Sequence, residues 1–372
     1  MKPLPLTLTL LICIPLLGGC WDQSALKDKR IINGVSIDVS ETDPDILLGS
    51  LRAVQIQGKG GGKFEIMDTV LDAEKETIGE LEAELQNKVP GKMDFGKAFI
   101  IMIGEELAKD KGISPIIEPF YRSSKGYIAS RIVIGKGRAH DLLTIEDEQQ
   151  SPIVFEILRL LEGSENETYS PKENTFTIVN KIVDKERDVM IPMLEPLEPN
   201  QIRIYGAALF NGDHYSGFSL APDQIPITLF LDGKFKKRSK INIRAHDDLA
   251  QPFTIEVQKV NRNLEITIDE QKQLIECHIN VALSAKVASY YNNGSPINTK
   301  QLNELASTEL TKRATEITDT FLEANSDVLG IQKAIKAQYP DFWKKKNWDT
   351  EFQQINIIPN LTVDITSTYG IK

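Results

Sequence analysis

Apolar residues alternate with polar ones along some stretches of this chain and recur every three to four positions along others, which separates strands from helices. Ile31 to Val39 and Ile46 to Ile56 read as strands joined by the turn Asp43-Pro44-Asp45. Ile78, Leu81 and Leu85 share one helical face, with Glu80, Glu82 and Glu84 off it. Phe99 to Ile103 is a short buried strand that runs into a helix start at Gly104-Glu105-Glu106-Leu107-Ala108, where acids suit the partial positive charge of first-turn amides. Ile132 to Ile134 is a further strand. Ser151 and Pro152 form an N-cap and N1 pair for a helix carrying Val154, Ile157, Leu158 and Leu161, with Gly163 placed as its C-terminal cap.

Strands dominate the second half. Ile202 to Phe210 and Tyr215 to Leu220 are joined through Asn211-Gly212-Asp213, a hairpin signal. Ile241 to Ile243, Phe253 to Val260, Leu264 to Ile268 and Leu274 to Val287 add strands, with Asn261-Arg262-Asn263 as one turn and Tyr291-Asn292-Asn293-Gly294 as a loop tip. After Asn298, the residues Leu302, Leu305, Ala306, Leu310, Ala314, Ile317 and Phe321 mark one helical stripe. At 1.5 Å per residue this helix is about 37 Å long, enough to cross an antiparallel sheet. A shorter helix near Val328 to Gln338 and a last strand, Ile355 to Ile365, complete an α+β reading.

Charge marks a division. Cys20 to Asn200 holds 22 basic and 33 acidic residues, whereas Gln201 to Lys372 holds 20 of each. The step coincides with Glu195-Pro196-Leu197-Glu198-Pro199-Asn200, which reads as a linker because proline removes backbone donors and restricts its predecessor. The expected organisation is a signal peptide (1–19), an acidic mixed α/β region (20–200) with a subdomain break near 145, and a C-terminal antiparallel sheet covered by a long helix (201–372). The net charge of −10 leaves no broad positive footprint for nucleic acid.

Leu4 to Leu17 is an uncharged run after Lys2, followed by Gly18-Gly19-Cys20, in the order n-region, h-region, cleavage site. Fourteen helical residues cover about 21 Å against a hydrocarbon core of about 30 Å, too short to span well. Leu17-Gly18-Gly19-Cys20 resembles the lipobox of bacterial lipoproteins, which implies cleavage after Gly19 and an N-palmitoyl, S-diacylglycerol Cys20. Cys13 leaves with the signal and Cys20 is committed to lipid, so Cys277 is alone in the mature chain and no intramolecular disulfide can form. Its setting in Leu274 to Ile279 reads as core.

Candidate chemistry is sparse. The histidines are His140, His214, His246 and His278, none in a zinc-ligand spacing, and there is no G-x-S-x-G elbow. No catalytic residue, metal ligand or cofactor site is expected. The loop Gly58 to Lys63 lacks P-loop spacing and reads as a hairpin loop, and Glu105 and Glu106 as a solvated first turn. Lys234-Phe235-Lys236-Lys237-Arg238 with Lys240 fits either an anionic leaflet or an edge strand kept soluble by lysines. Phe342, Trp343 and Trp348 around Lys344-Lys345-Lys346 fit either an amphipathic surface or an aromatic cap on the sheet.

Cys20-Trp21-Asp22 behind the lipobox, Ile31 to Asp38, Gly104 to Ala108, Tyr205-Gly206-Ala207-Ala208-Leu209-Phe210, and Tyr339-Pro340-Asp341-Phe342-Trp343 before Trp348 are similar, in order, to segments of the Ger(x)C family: lipoprotein C subunits of the nutrient germinant receptors of endospore-forming bacteria. Ala25 departs from the glutamate many members carry, and Ala221 to Lys237 follows the family only loosely. The resemblance implies a non-enzymatic subunit anchored on the outer face of the spore inner membrane. It would work there with membrane-embedded A and B subunits in germinant sensing. The alternative from another class is an extracytoplasmic solute-binding lipoprotein, which needs two α/β lobes closing on a ligand.

Overall fold

The computed structural model describes residues 29–58, 64–122, 127–146, 152–185, 187–197, 200–244, 252–290 and 298–367. The signal segment, Cys20, residues 59–63, Ser151, His246 and residues 291–297 lie outside them. The first sheet is built from β1 (Lys29–Val39), β2 (Leu47–Gly58) and β3 (Phe64–Lys75), then, after α1 (Ile78–Lys88), β4 (Lys92–Asp94) and β5 (Ile100–Gly104). Short helices α2 (Glu105–Asp110) and α3 (Ser114–Arg122) lead to β6 (Arg131–Gly135). α4 (Ala139–Leu143), α5 (Ile153–Asn166) and α6 (Thr175–Asp184) precede β7 (Met190–Leu197), β8 (Gln201–Asn211) and β9 (His214–Leu220). Strand order is β3-β2-β1-β5-β6-β7-β8-β9, with β4 beside the start of β1.

The centre of this sheet, β1, β5, β6 and β7, is parallel and its flanks are antiparallel. Continuous apolar runs suit strands covered on both faces. Ile101, Ile103, Ile132 and Ile134 pack with α1, α2, α3 and α6, while Ile100, Met102 and Val133 pack with α4 and α5.

After α7 (Ile225–Leu231) come β10 (Ser239–Ile243), β11 (Phe253–Asp269), β12 (Leu274–Tyr290), α8 (Thr299–Glu323), α9 (Ile331–Gln338), α10 (Pro340–Trp343), α11 (Trp348–Glu351) and β13 (Asn356–Ser367). β10-β11-β12 are antiparallel, and α8 carries the chain back so that β13 lies parallel to β12. The expected stripe on α8 is buried at Leu302, Ala306, Leu310, Ala314, Ile317 and Phe321, and Asn298 caps the helix through Gln301 N–H.

Four local expectations differ from the structure. Asn261-Arg262-Asn263 is no turn: β11 runs straight through it, paired with Ala282, Val281 and Asn280 of β12. Gly163 does not cap α5, which continues to Asn166 because Glu165 reaches Arg131 of β6 at 2.7 Å. Glu195-Pro196-Leu197 is strand rather than linker. Pro196 is tolerated because β6 pairs with β7 only at Met193 and Leu194, so its missing N–H faces no parallel neighbour. Leu197 pairs with Gln201, so β7 and β8 lie side by side as an antiparallel pair, and the first sheet continues to Leu220. Nor does the sheet break near 145, since β6 and β7 on either side of it are paired.

β8 joins the two halves. Ala208 and Phe210 belong to the first core, while Ala207 and Leu209 belong to the second. A polar latch reinforces this. Asp188 accepts from Asp327 N–H (2.7 Å) and Gly212 N–H (2.7 Å), and Asp327 accepts from Ile331 and Gln332 N–H, capping α9. Arg187 donates to Val328 C=O (2.7 Å) and pairs with Asp232. Burial raises both carboxyls, Asp188 to about 6 and Asp327 to about 7, against the amides that lower them. Above an unfolded value of 3.8, the folded chain therefore binds more protons than the unfolded one, and stability falls as pH rises through the window up to about 7. Urea midpoints at pH 5 and pH 8 are expected to show this fall, and Asp327→Asn, which does not titrate, to flatten it.

Candidate functional site

Three of the segments that set this sequence apart converge at the carboxyl ends of β1, β5 and β6. The chain leaves β1 toward one edge of the sheet and β5 toward the other, which makes this the switch point where open α/β sheets form a crevice. Here it has a volume of about 440 Å³, lined by Asp38, Gly104, Glu105, Glu106, Gly137 and Arg138 among others. Asp38, at the end of Ile31 to Asp38, is buried and accepts from the N–H groups of Ala139 (2.7 Å) and His140 (2.8 Å) at the start of α4. Burial raises its carboxyl, and those two amides oppose the shift.

Gly104 must be glycine for that geometry, since a Cβ there would lie 2.2 Å from Asp38 Oδ1. The next residue, Glu105, accepts from Lys136 Nζ (2.9 Å) and Gly137 N–H (3.0 Å). Its hydrogen bond to Lys136 is the main reason that lysine's proton is held more tightly than usual. Lys136 Nζ also sits 5.2 Å from the ring centroid of Tyr205, which opens Tyr205 to Phe210. Glu105 is therefore an ion-paired crevice residue rather than a freely solvated first-turn acid.

The crevice holds two preformed charge pairs, Glu105 with Lys136 and Arg138 with Glu41, and no hydroxyl or thiol nucleophile among its lining residues. Asp38 spends both oxygens on backbone donors.

The other candidates are scattered. Cys277 is fully buried in β12, and burial pushes its thiol up to about 12. His140 contacts Ser50 Oγ at 2.9 Å, His214 contacts Asp213 at 2.8 Å, and His278 lies 3.9 Å from Glu276. Among the described residues, no three His, Cys, Asp or Glu side chains cluster as metal ligands, and no helix is long and apolar enough to cross a membrane. Lys234 pairs with Asp232 and Arg238 with Glu167, beside the edge strand β10. The rings of Trp343 and Trp348 stack at 4.3 Å, Phe342 meets Trp348 edge-on, and Tyr339 Oη donates to Ile266 C=O (3.0 Å), so these aromatics pack against the second sheet. Sequence reasoning missed Lys136, Arg138 and Tyr205 as neighbours, because only the pairing of β5 with β6, and of β6 through β7 with β8, brings them to Glu105.

Residues 22–196 match the family described as "Spore germination protein N-terminal domain", and residues 205–369 match "Spore germination B3/ GerAC like, C-terminal". The chain belongs to the GerAC-like spore germination family. It is 23% identical over 359 residues to spore germination protein GerQC of Bacillus cereus, covering 96% of this chain and 97% of that one. It is 20% identical over 397 residues to spore germination protein KC of Bacillus subtilis (strain 168), covering 99% and 95%. The crystal structure of the GerBC protein superposes with a TM-score of 0.58 at 16% identity, over 93% of this chain and all of that one, so this GerAC-like chain shares its fold. The mixed α/β first half and the second sheet under a long helix are thus properties of the family's fold.

Proposed function

We propose that the protein is a non-enzymatic lipoprotein subunit of a spore nutrient germinant receptor. Cys20 carries N-palmitoyl and S-diacylglycerol groups after cleavage behind Gly19, and these hold the folded chain on the outer face of the spore inner membrane, where it acts with membrane-embedded A and B subunits. The observation that carries this reading is the match of both family halves, in order, from a point two residues after a lipobox cysteine. A solute-binding lipoprotein would need two lobes free to close, whereas β8 here is shared by both cores.

Spores lacking the chain are expected to lose the response to at least one nutrient, with that response restored by the wild-type gene and by single His140→Ala, His214→Ala, His246→Ala and His278→Ala variants. Unchanged responses to every nutrient in the deletion strain would refute the receptor role. A well-folded histidine variant of normal abundance that specifically abolished the response would refute the non-enzymatic part.

A further inference from the structure

Among the described residues, the large apolar side chains that stand exposed are Met67, Ile128, Phe176, Val183, Phe218 and Leu274. Three of them gather at one end of the first sheet. Gly34 of β1 is level with Ile100 of β5, and Ile100 with Arg131 of β6, so these parallel strands start at the same end. Ile128, 46% exposed, lies three residues before β6. Phe176, 49% exposed, is in the first turn of α6, next to Thr175, whose N–H donates to Ser130 C=O at 3.0 Å. Met67 of β3 pairs with Gln55, adjacent to Val54, which is level with Ile31.

This is also where the tether arrives. Lys29 opens β1 at that end, and Cys20 is nine residues earlier, a reach of about 30 Å at full extension. Cations stand at that end as well. Arg30, Lys92 and Lys97 stand at the strand-start end, and among the described residues none of the three is in an ion pair, while Asp94 there is paired with Lys29 and Asp68 with Arg52. The opposite end carries both signs, with Asp43, Asp45, Glu106 and Asp110 beside Lys109, Lys111, Lys136 and Arg138. The end where the tether arrives thus combines exposed apolar side chains with three cations that are in no ion pair among the described residues.

We propose that the strand-start end of the first sheet is a membrane-docking surface, with Ile128, Phe176 and Met67 dipping into the interface of an anionic phospholipid bilayer and Arg30, Lys92 and Lys97 lying against its headgroups. The inference rests on the acylated Cys20 proposed above. Scattered apolar side chains ringed by lysine and arginine suit a lipid interface, which needs no shape complementarity, and the acyl chains hold the surface at a high local concentration of lipid. Docking fixes the orientation of the subunit, with the crevice around Glu105 facing away from the bilayer.

The test uses the full lipidated protein in vesicles of phosphatidylcholine and phosphatidylglycerol that carry brominated acyl chains. A fluorophore is placed at Phe176→Cys, Ile128→Cys or Asp45→Cys, all exposed positions where folding is checked by circular dichroism; Cys277 is buried and does not compete. Labels at 176 and 128 are expected to be quenched several-fold more than the label at 45. The difference should vanish in the combined Arg30→Glu, Lys92→Glu, Lys97→Glu variant. Equal quenching at 176 and 45 on vesicle-bound protein overturns the docking surface and leaves the lipid anchor standing. Protein that neither binds vesicles nor carries a diacylglyceryl mass overturns both. Protection of the label at 176 only when the receptor's membrane subunits are present overturns the bilayer in favour of a protein partner.

Discussion

Alanine in place of Gly206 is expected to be among the most damaging single changes in the folded part of the molecule. A Cβ at 206 would lie 2.1 Å from the carbonyl oxygen of Leu220 on β9, where real contacts stay beyond 3.0 Å. The obstacle is backbone, so no side-chain rotation relieves it, and β8 must part from β9. Because β8 gives Ala207 and Leu209 to one core and Ala208 and Phe210 to the other, the displacement loosens both. The cost is about 3 kcal/mol or more, a large share of a net stability of roughly 5–15 kcal/mol. Gly79→Ala is the control. Gly79 lies in α1 with nothing within 4 Å of the added Cβ, so the change should gain about 0.5–1 kcal/mol. Urea unfolding followed by circular dichroism should lower the midpoint sharply for Gly206→Ala and raise it slightly for Gly79→Ala. A Gly206→Ala protein that unfolds at the wild-type urea concentration would contradict this account of the β8–β9 junction.

Elements with strong local patterns were legible in the amino-acid sequence. The β1–β2 hairpin, the helix entered at Gly104, the Asn211-Gly212-Asp213 turn with Gly212 at φ +60°, and the stripe of α8 all follow from alternation, caps or turn residues. The failures occur where a distant partner satisfies a residue that looks like punctuation. Arg262 takes an inward position of β11 because its Nε donates to Leu231 C=O (2.8 Å), so Asn261-Arg262-Asn263 keeps the strand's alternation with an arginine on the inner face. Gly163 sits inside α5 because Glu165, the last residue but one of the helix, is drawn to Arg131. α7, Ile-Pro-Ile-Thr-Leu-Phe-Leu, is buried on every side, so it offers no periodicity to read. The crevice was half visible. Asp38, Gly104 and Glu105 lie in segments that the family resemblance singled out, but Lys136 and Arg138 follow an unremarkable strand and acquire meaning only from its position beside β5.

Cys20→Ala is expected to have the largest biological effect. Each buried methylene contributes about 0.8 kcal/mol, and a single myristoyl-length chain gives only marginal attachment, so stable residence needs two chains, which a diacylglyceryl cysteine supplies. Without it, lipoprotein-type processing stops. The apolar run Leu4 to Leu17, at about 21 Å, is then a poor substitute anchor against a hydrocarbon core of about 30 Å. Fractionated spores carrying Cys20→Ala should show the protein depleted from the inner membrane and the nutrient response lost, while the purified chain keeps the wild-type urea midpoint because the described cores are built from Ile32 onward. Full membrane retention together with a normal response would show that attachment does not depend on that thiol.

The claim on which the membrane orientation, the docking surface and the receptor reading all depend is the chemistry of residue 20, and mass spectrometry of the N-terminal peptide of protein extracted from spore inner membranes tests it most directly. The account predicts a peptide that begins at Cys20 and carries the diacylglyceryl mass. An intact Met1 terminus, or a free thiol at Cys20 in membrane-extracted protein, would contradict it.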